Sequence, residues 1–403
     1  MSPSALSGIK VIEYADFISG PFCGKLLADM GATVIKVETP GSGDSSRRSG
    51  PFAGNKPDPE ASGLFLYLNT NKSGITLDLE APGGLSLFKD LVKPCDIFIT
   101  NHHPGAARKL GIHYAGLKKA NPFLVYASVT PFGLTGPQKN YHGNNFIAFN
   151  TGGMASFTPD WVEDHGSCPP LQAGGYQADY AAGIVAATAA LGALYGRYAS
   201  GKGCMVDVSE QEAVAFALAR SVSFYTYEGI RQDRQKIERS MESPVPCKDG
   251  YVELHIVEDN HWQAFREVIG NPEWTEDPLF KNYAGRCHNW NLMEENLTRW
   301  TMQHTRQEIY HLMQSRRVAF GPVNKAEDVL RSEHIKQRGC FKETNHPRAG
   351  KLTLPGVPFK MSAAPNNTPA PAPLLGQHNR QVYGGMLGLS REEIAGLGKK
   401  GII

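Results

Sequence analysis

The first half of the chain alternates short runs of branched apolar residues with amphipathic segments. Apolar runs of strand length occur at residues 9–14, 33–37, 97–100 and 123–129. Segments with helical spacing lie between them, at 22–30 and 86–92, and Gly20-Pro21 is predicted to break the chain before the first of these. Strands separated by helix-length segments predict parallel β-α-β units in an open, wound sheet, which is an α/β fold.

The second half mixes longer helical patterns with turn-rich stretches. An Ala- and Gly-rich apolar run at 180–195 predicts a buried helix that is too short to span a bilayer. Further segments are predicted as a strand (204–208), a long helix (211–230), an exposed linker (231–239), a strand (251–257), two helices (261–269 and 293–314) and a Pro-rich connector (365–373). Ser390 and Glu393 form a capping box, which predicts a helix near the end of the chain.

Composition excludes several classes of protein. The 403 residues carry 41 Lys plus Arg and 39 Asp plus Glu, a net charge of +2, which argues against a nucleic-acid partner. The seven cysteines form no C-x-x-C pair, so neither a zinc site nor a disulfide scaffold is expected. With no signal-peptide pattern at the start, we expect a cytoplasmic protein that does not enter a membrane.

Common catalytic and cofactor motifs are missing from the sequence. The stretch 41–44 (GSGD) follows a predicted strand but lacks the third glycine of a dinucleotide site and the Lys-Ser/Thr of a P-loop. No G-x-S-x-G elbow occurs, and His102 and His103 are too close along the chain to converge on one metal ion. We therefore expect no metal and no tightly bound cofactor.

Asp179 is the acidic residue with the most unusual setting. It follows Gly174 and Gly175 and comes just before the apolar helix. A carboxylate at that position can be an ordinary N-cap, which is common, or it can face a ligand that reaches it past the glycines. The position alone leaves both interpretations open.

An ordered set of short motifs resembles the family III CoA-transferases, the group that includes formyl-CoA transferase and carnitine CoA-transferase. The motifs run along nearly the whole chain, at 8–13 (GIKVIE), 20–21 (GP), 27–32 (LADMGA), 34–38 (VIKVE), 41–44 (GSGD), 68–72 (LNTNK), 77–79 (LDL), 101–105 (NHHPG), 178–180 (ADY), 201–203 (GKG), 248–250 (KDG), 321–323 (GPV), 375–378 (LGQH) and 388–390 (GLS). Each motif is weak alone, and the ordered set is specific.

The resemblance implies a fold that composition cannot show. Family members have a large Rossmann-like domain, an inserted small α+β domain, and two chains interlocked as rings. On this plan residues 1–225 and 374–403 form the large domain, 235–325 the small domain, and 326–373 a return linker. The expected assembly is an interlocked homodimer, with a heterodimer of paralogues as the other arrangement.

The resemblance also implies a role for Asp179. In the family, the aspartate of this motif attacks an acyl-CoA donor to give a mixed anhydride, and CoA thiolate then gives an aspartyl-CoA thioester. An acceptor carboxylic acid takes CoA from that thioester, and succinyl-CoA is a possible donor by family habit. Covalent capture divides one difficult exchange into easier steps. We expect the helix N-terminus to keep Asp179 ionised.

Family alignment also points to residues that would contact CoA, which is a substrate here. They are Phe17, Ile18, Thr39, Arg47, Leu77, Asn101, His102, His103, Lys109, Leu110 and His142. Formyl-CoA transferase has arginines in place of Thr39 and Lys109. Lys109 can still meet a phosphate, and for Thr39 we expect Arg47 or Arg48 to act instead.

Two departures and one rival concern the reaction. The stretch 240–245 lacks the glycine-rich flap of formyl-CoA transferase, so we expect a stiffer lid and an acceptor other than oxalate. α-Methylacyl-CoA racemases share the architecture and would pair Asp179 with His142, because racemisation needs a base on each face of the substrate. Alignment places Gly143 rather than His142 at the histidine position. A subunit of a heteromeric CoA-transferase is the second alternative.

Overall fold

The computed structural model describes residues 4–159, 161–162, 166–232, 234–236, 244–364 and 369–403. Within these ranges the strands are β1 (Lys10–Glu13), β2 (Thr33–Glu38), β3 (Lys72–Thr76), β4 (Ile97–Thr100), β5 (Val125–Thr130), β6 (Trp161–Val162), β7 (Met205–Ser209), β8 (Gln235–Lys236), β9 (Val245–Cys247), β10 (Gly250–His255), β11 (Ala319–Pro322), β12 (Phe341–His346) and β13 (Gly350–Pro355).

The helices of the same ranges cover most of the remaining regular structure. They are α1 (Ser19–Asp29), α2 (Gly63–Leu68), α3 (Gly84–Val92), α4 (Pro104–Lys109), α5 (Tyr114–Lys118), α6 (Asn145–Thr151), α7 (Gln177–Ser200), α8 (Glu210–Ala215), α9 (Ala219–Ser223), α10 (Asp259–Val268), α11 (Tyr283–His288), α12 (Trp290–Thr301), α13 (Arg306–Ser315), α14 (Ala326–Arg331), α15 (Glu333–Arg338), α16 (Asn379–Leu387) and α17 (Arg391–Lys399).

The largest sheet is a six-stranded sheet in the order β3-β2-β1-β4-β5-β7. Each neighbouring pair is parallel. Apolar clusters cover both faces: one includes residues of α3, α16 and α17, and the other residues of α1 and α7. The predicted wound α/β sheet is therefore confirmed. In such sheets ligands bind at the carboxyl ends of the strands where the order reverses, which here lies between β1 and β4.

The described residues fall into two compact units. One lies within Met1–Ser156, Leu171–Arg231 and Gln337–Ile403, and the other within Phe157–Pro170 and Gln232–Lys336. The first contains the six-stranded sheet. The second contains the antiparallel sheet β11-β10-β9, whose core includes Trp262, Phe265 and Met293 from α10 and α12.

The helix α1 begins earlier than the sequence suggests. Gly20 and Pro21 lie in its first turn, whereas they were predicted to break the chain ahead of it. Proline is tolerated there because the first amides of a helix have no partner within the helix.

Two segments predicted as single helices are interrupted. The stretch 211–230 consists of α8, a 3-10 turn, α9 and a π-turn, in which Ser223 and Thr226 donate hydrogen bonds to carbonyl groups one turn back, a contact that bends helices. The stretch 293–314 is divided because Thr305 and Glu308 form a capping box that starts α13. The capping box predicted at Ser390 and Glu393 is confirmed and starts α17.

The helix α7 is buried along one face only, and it is not short. It has 24 residues, and by length and composition it could cross a membrane. The core helix of a globular protein meets the same criteria. Here Ala182, Ala186 and Ala190 pack in the core cluster that also holds Leu27 of α1.

The two predicted linkers contain regular structure. Within 231–239, Arg234 is buried and β8 pairs with β6, while 233 and 237–239 lie outside the described residues. The stretch 326–373 contains α14, α15 and the hairpin β12–β13, and Leu352 of that hairpin packs against a cluster that includes Phe65. Residues 365–368 of the predicted Pro-rich connector lie outside the described residues.

Candidate active site

The loops that follow β1 and β4 are joined by Asn101. The Asn101 side chain accepts a hydrogen bond from the Asp16 amide at 2.8 Å and donates one to the Asp16 carbonyl at 2.6 Å. It also donates to the Ser19 hydroxyl at 3.2 Å. Asn101 therefore fixes the first turn of α1 against the carboxyl end of β4, at the reversal of strand order.

Phe17 adopts a backbone conformation that non-glycine residues seldom adopt, with a φ of 65°. Its amide donates to Asp44 at 3.1 Å, and its ring meets that of Tyr176 edge-on at 5.2 Å. The neighbouring Asp16 carboxylate accepts hydrogen bonds from the amide and the hydroxyl of Ser45. Such strained residues cluster at binding sites, where the surrounding structure holds them in place.

A cavity of about 440 Å³ opens at this point. Its lining includes Tyr14, Phe17, Thr39, Arg48 and His102. The His102 ring stacks on Tyr14 at 4.6 Å, and burial lowers the pKa of His102. The lining also includes the carboxyl side chains of Asp16, Glu38 and Asp44, so the wall is polar, with Arg48 as the single cationic group among the described lining residues.

Beneath this first cavity lies a buried network of ion pairs. The Lys36 ammonium forms salt bridges with Glu13 at 2.9 Å and with Asp44 at 2.7 Å, and Lys72 forms one with Glu13 at 2.8 Å. Burial alone disfavours the charged lysine, but the charges of Asp44 and Glu13 prevail and raise the pKa of Lys36. For Lys72 burial prevails and lowers its pKa to about 8. The network fixes the position of Asp44, which accepts the amide of Phe17 and so supports the backbone conformation of that residue.

A second cavity, of about 460 Å³, contains Asp179. Phe17 and Asn101 line both cavities, so the two adjoin. Its other walls come from the starts of α1, α6, α7 and α8 and from loops, and they include Ile18, Pro131, Gly143, Asn144, Phe146, Tyr176 and Glu210.

The carboxylate of Asp179 does not cap its own helix. Asp179 is the third residue of α7, and the amides of Ala178 and Asp179 instead donate to the Asn145 side-chain oxygen, at 2.9 and 3.4 Å. Asn145 belongs to α6, so the cap comes from another helix. The Asp179 side chain thus lines the cavity without serving as the N-cap.

The environment of Asp179 favours its protonated form. The side chain is only 5% exposed, and burial together with the negative charge of Glu210 raises the pKa of Asp179 to about 8. The expectation that the helix N-terminus keeps Asp179 ionised is therefore wrong near pH 7. Burial and a second carboxyl outweigh it, because a like charge in a site with little water is costlier than one at the surface.

Several predicted CoA contacts lie outside both cavities. The Arg47 guanidinium is buried between Glu38 and Glu60 and stacks on Phe65, so it is not available for a phosphate. Leu77 is fully buried in an apolar core cluster, and Leu110 packs against this cluster. The predicted role of the Arg47 guanidinium is wrong because of its ion pairs, whereas the predicted contacts of Leu77 and Leu110 with CoA stay predictions.

The remaining predicted contacts divide into residues that line the cavities and residues that do not. Lys109 is exposed and pairs with Glu80 at 2.6 Å, outside the lining of the cavities. The ring of His103 accepts from the Gly105 amide and thereby caps α4. These two contacts stay predictions. Phe17, Ile18, Thr39, Asn101 and His102 do line the cavities.

The pairing of Asp179 with His142 that the racemase alternative requires is not formed among the described residues. His142 is exposed, stacks on His103 at 5.0 Å, and does not line the Asp179 cavity, whereas Gly143 does. A Cβ at position 143 would lie 2.6 Å from that of Pro131, so no side chain fits there. No second base therefore faces Asp179 from this segment.

Sequence reasoning missed three residues that shape the site. Asn145 and Glu210 are brought to Asp179 by packing, and Asp44 supports Phe17. Only Asp44 had a local signal, because it follows two glycines after a strand. Among the described residues, no three His, Cys, Asp or Glu side chains are placed to hold a metal ion.

Comparison with known proteins shows the family to which the chain belongs. The family model described as CoA-transferase family III matches residues 6–379. Succinyl-CoA–D-citramalate CoA-transferase of Chloroflexus aurantiacus is 31% identical, over 100% of this chain and 98% of that protein. The subunit BbsE of succinyl-CoA:(R)-benzylsuccinate CoA-transferase of Thauera aromatica is 32% identical, over 90% of each.

A solved structure supports the same assignment. A CaiB/BaiF family protein from Brucella suis superimposes with a TM-score of 0.84 at 27% identity, covering 95% of this chain and all of that one. The chain belongs to the family III CoA-transferases, and the resemblance predicted from its motifs is confirmed.

Proposed function

We propose that the enzyme transfers CoA through covalent intermediates on Asp179. A carboxylate oxygen of Asp179 attacks the carbonyl carbon of an acyl-CoA, the carbon–sulfur bond breaks, and CoA leaves as a thiolate. The thiolate then attacks the aspartyl carbonyl of the mixed anhydride, which releases the donor acid and leaves an aspartyl-CoA thioester. The acceptor carboxylate reacts with this thioester by the same two steps in reverse, and the new acyl-CoA forms.

One observation carries this proposal. Asp179 is a buried carboxyl that lines a cavity, while Asn145 takes over the capping of its helix. The oxygens of a carboxyl that only caps a helix would accept hydrogen bonds from the first amides of that helix. The position at the start of the 24-residue helix α7 favours the anion once it forms, and so favours attack.

The first cavity is our proposed entrance for CoA. It lies at the reversal of strand order, where wound sheets bind nucleotides. Arg48 lines this cavity and is our choice for the phosphate contact that was predicted for either Arg47 or Arg48. The stacked rings of His102 and Tyr14 offer a flat surface. Because Phe17 and Asn101 are shared by both cavities, the thioester end can reach Asp179 past them.

Succinyl-CoA is our proposed donor, and a carboxylic acid other than oxalate our proposed acceptor. The D-citramalate and benzylsuccinate enzymes that the chain resembles both use succinyl-CoA, according to their names. Mass spectrometry of CoA products, with succinyl-CoA and a panel of acids, tests both choices. The panel contains D-citramalate, (R)-benzylsuccinate and oxalate, and dominant formation of oxalyl-CoA would refute the acceptor assignment.

Trapping the intermediate tests the mechanism. We expect hydroxylamine, added during turnover with succinyl-CoA, to leave a hydroxamate on Asp179 that peptide mass spectrometry locates. Asp179→Asn should lower turnover by about 10³-fold or more and still bind CoA. Glu212→Gln is the matched control, because Glu212 is an exposed acid on α8 outside the cavity. Full turnover by Asp179→Asn would disprove the nucleophile.

Our proposed assembly is an interlocked homodimer in the cytoplasm. Large aromatic side chains are exposed on α7 and on the segment after α8, with Tyr195, Tyr198, Phe216 and Tyr227 each more than 70% exposed. If these side chains form one contiguous patch, it is of the kind that a partner subunit covers. The named relative BbsE is a subunit, so a heteromer is the other candidate. Sedimentation of the purified chain, with activity measured at the same concentration, separates the two assemblies.

A further inference from the structure

The side chain of Asn101 uses both of its N–H donors within the protein. Its nitrogen donates to the Asp16 carbonyl at 2.6 Å and to the Ser19 hydroxyl at 3.2 Å, and its oxygen accepts from the Asp16 amide at 2.8 Å. An asparagine side chain has two N–H donors and no more. Because phosphate oxygens accept hydrogen bonds, Asn101 would have to give up one of these bonds to contact a phosphate of CoA.

These bonds hold a turn whose backbone conformation is costly. Phe17, directly after Asp16, has a φ of 65°, which a bulky residue seldom adopts. The Phe17 amide donates to Asp44 at 3.1 Å, and the Asp16 carboxylate accepts from the Ser45 amide at 2.7 Å. A strained residue keeps such a conformation only where its surroundings over-determine it, and Asn101 bonds both the amide and the carbonyl of the residue before it.

Glycine is required at position 20, where Asn101 meets the first turn of α1. A Cβ there would lie 2.5 Å from that of Ala15 and 3.4 Å from Cγ of Asn101. The first of these distances is shorter than two carbon atoms allow, so a side chain at position 20 would displace Ala15 and disturb the bonds to Asp16 beside it. The Gly-Pro pair of the sequence thus has a structural reason in this contact.

This turn lies between the two cavities. Phe17 lines both of them, and its ring meets that of Tyr176 edge-on at 5.2 Å. Ile18 and Ser19, which follow Phe17, belong to the described lining of the Asp179 cavity and not to that of the first cavity. A shift of the turn would therefore move one wall of the Asp179 cavity together with the ring at the junction.

We propose that Asn101 is a positioning residue for the transfer reaction. Through the backbone of Asp16 it holds the Phe17 ring at the junction of the two cavities, where the thioester must pass to reach Asp179. This inference rests on the proposed function, because only a reaction on Asp179 requires that passage. A displacement of about 1 Å can lower a rate by about 10²-fold. Loss of Asn101 should therefore affect turnover more than the binding of CoA, whose phosphates we assign to Arg48.

The kinetics of Asn101→Ala separate holding from binding. We expect kcat to fall about tenfold or more, while the dissociation constant for CoA changes by less than about twofold. Asn121→Ala is the matched control: Asn121 is a buried asparagine ahead of β5, at the other end of the sheet, and it donates to the Val92 and Cys95 carbonyls and accepts from the Phe123 amide. This control should lose stability and keep its kcat. Weaker CoA binding by Asn101→Ala with an unchanged kcat, or equal losses of kcat in both variants, would overturn the inference.

A double-mutant cycle with Phe17→Gly tests whether Asn101 acts through Phe17. Glycine adopts a φ of 65° without strain, so this variant no longer needs the turn to be held, and it also lacks the ring. In the Phe17→Gly background, Asn101→Ala should lower kcat by less than about twofold, because residues that act as one unit are not additive. The same factor in both backgrounds would mean that the two residues act independently, which would contradict the inference.

Ser19→Ala decides the question if Asn101→Ala folds poorly, because it removes only one of the three bonds. A lowered kcat with CoA affinity retained supports the inference, and an unchanged kcat or weaker CoA binding contradicts it. Failure of the proposed function would look different. The wild type would then form no hydroxamate on Asp179, whereas a hydroxamate on Asp179 together with weaker CoA binding by Asn101→Ala would refute this inference alone.

Discussion

The side-chain oxygen of Asn145 accepts a hydrogen bond from the backbone amide of Asp179, 34 residues further along the chain, at 3.4 Å. It also accepts the amide of Ala178, so α6 caps α7 in place of any residue of α7 itself. The Asp179 carboxyl, our proposed nucleophile, can face the cavity because a residue of α6 accepts the hydrogen bonds of the first amides of α7. Stability and chemistry at this site thus depend on the same amide side chain.

Asn145→Ala should separate these two contributions. Loss of the cap leaves two buried amides to compete for the Asp179 carboxylate, so we expect kcat to fall about tenfold with little change in the affinity for CoA. Stability should fall by about 1 kcal/mol. Asn150→Ala is the control, because Asn150 lies on the same helix and is exposed, and its side chain donates to the Phe146 carbonyl at 2.8 Å rather than to α7. Equal losses of activity in both variants would mean that the cap has no special role.

Asp179→Asn should stabilise the protein, and more so at higher pH. The folded-state pKa of Asp179, about 8, lies above the ordinary aspartate value of 3.8, so the folded state binds more protons than the unfolded state between these pH values. The free energy of unfolding of the wild type therefore falls as pH rises through this window, whereas that of the neutral amide does not. We expect the variant to gain about 1–3 kcal/mol more at pH 8 than at pH 5.

Chemical denaturation at the two pH values measures this difference. Glu212→Gln serves again as the control, since Glu212 is exposed and lies outside the lining of the cavity. If Asp179→Asn gave the same stability gain at pH 5 and pH 8, the carboxyl would titrate alike in the folded and unfolded chain.

The wound sheet and the position of Asp179 could be predicted from sequence because their signals are local. Buried parallel strands read as continuous apolar runs, and Asp179 follows two glycines and precedes an apolar helix. Asn145 and Glu210 could not be found in this way. Each looks like an ordinary residue at the start of its own helix, and only tertiary packing brings it to Asp179.

Arg47 and Arg48 also show what the sequence does not reveal, because these adjacent residues point in different directions. Arg47 and Arg48 are neighbours in a single 3-10 turn, and sequence offers no reason to choose between them. In the structure Arg47 turns inward to Glu38 and Glu60, whereas Arg48 lines the first cavity. Which of two adjacent side chains faces a ligand depends on the acids that the fold places beneath the turn.

Lys36→Met should strongly destabilise the protein. The change leaves Glu13 and Asp44 buried without the cation that bonds both, and we expect a loss of about 3–5 kcal/mol. Lys93→Met is the matched control: Lys93 pairs with Asp90 at the surface, where such a pair contributes about 0–1 kcal/mol. Thermal unfolding of both variants measures the contrast. Similar shifts would show that the buried network contributes no more than an exposed pair.

Arg48→Ala should weaken the binding of CoA by about tenfold, equivalent to about 1.4 kcal/mol. Arg48 lines the cavity at the strand reversal, and its guanidinium donates to the Ser42 carbonyl at 2.6 Å, which holds it at the edge of that cavity. Lys109→Ala is the informative comparison, because Lys109 was also expected to meet a phosphate but pairs with Glu80 outside the cavity. Titration calorimetry with CoA at two salt concentrations measures both affinities. A larger loss for Lys109→Ala than for Arg48→Ala would place the phosphates of CoA along α4, and the first cavity would then not be the entrance we propose.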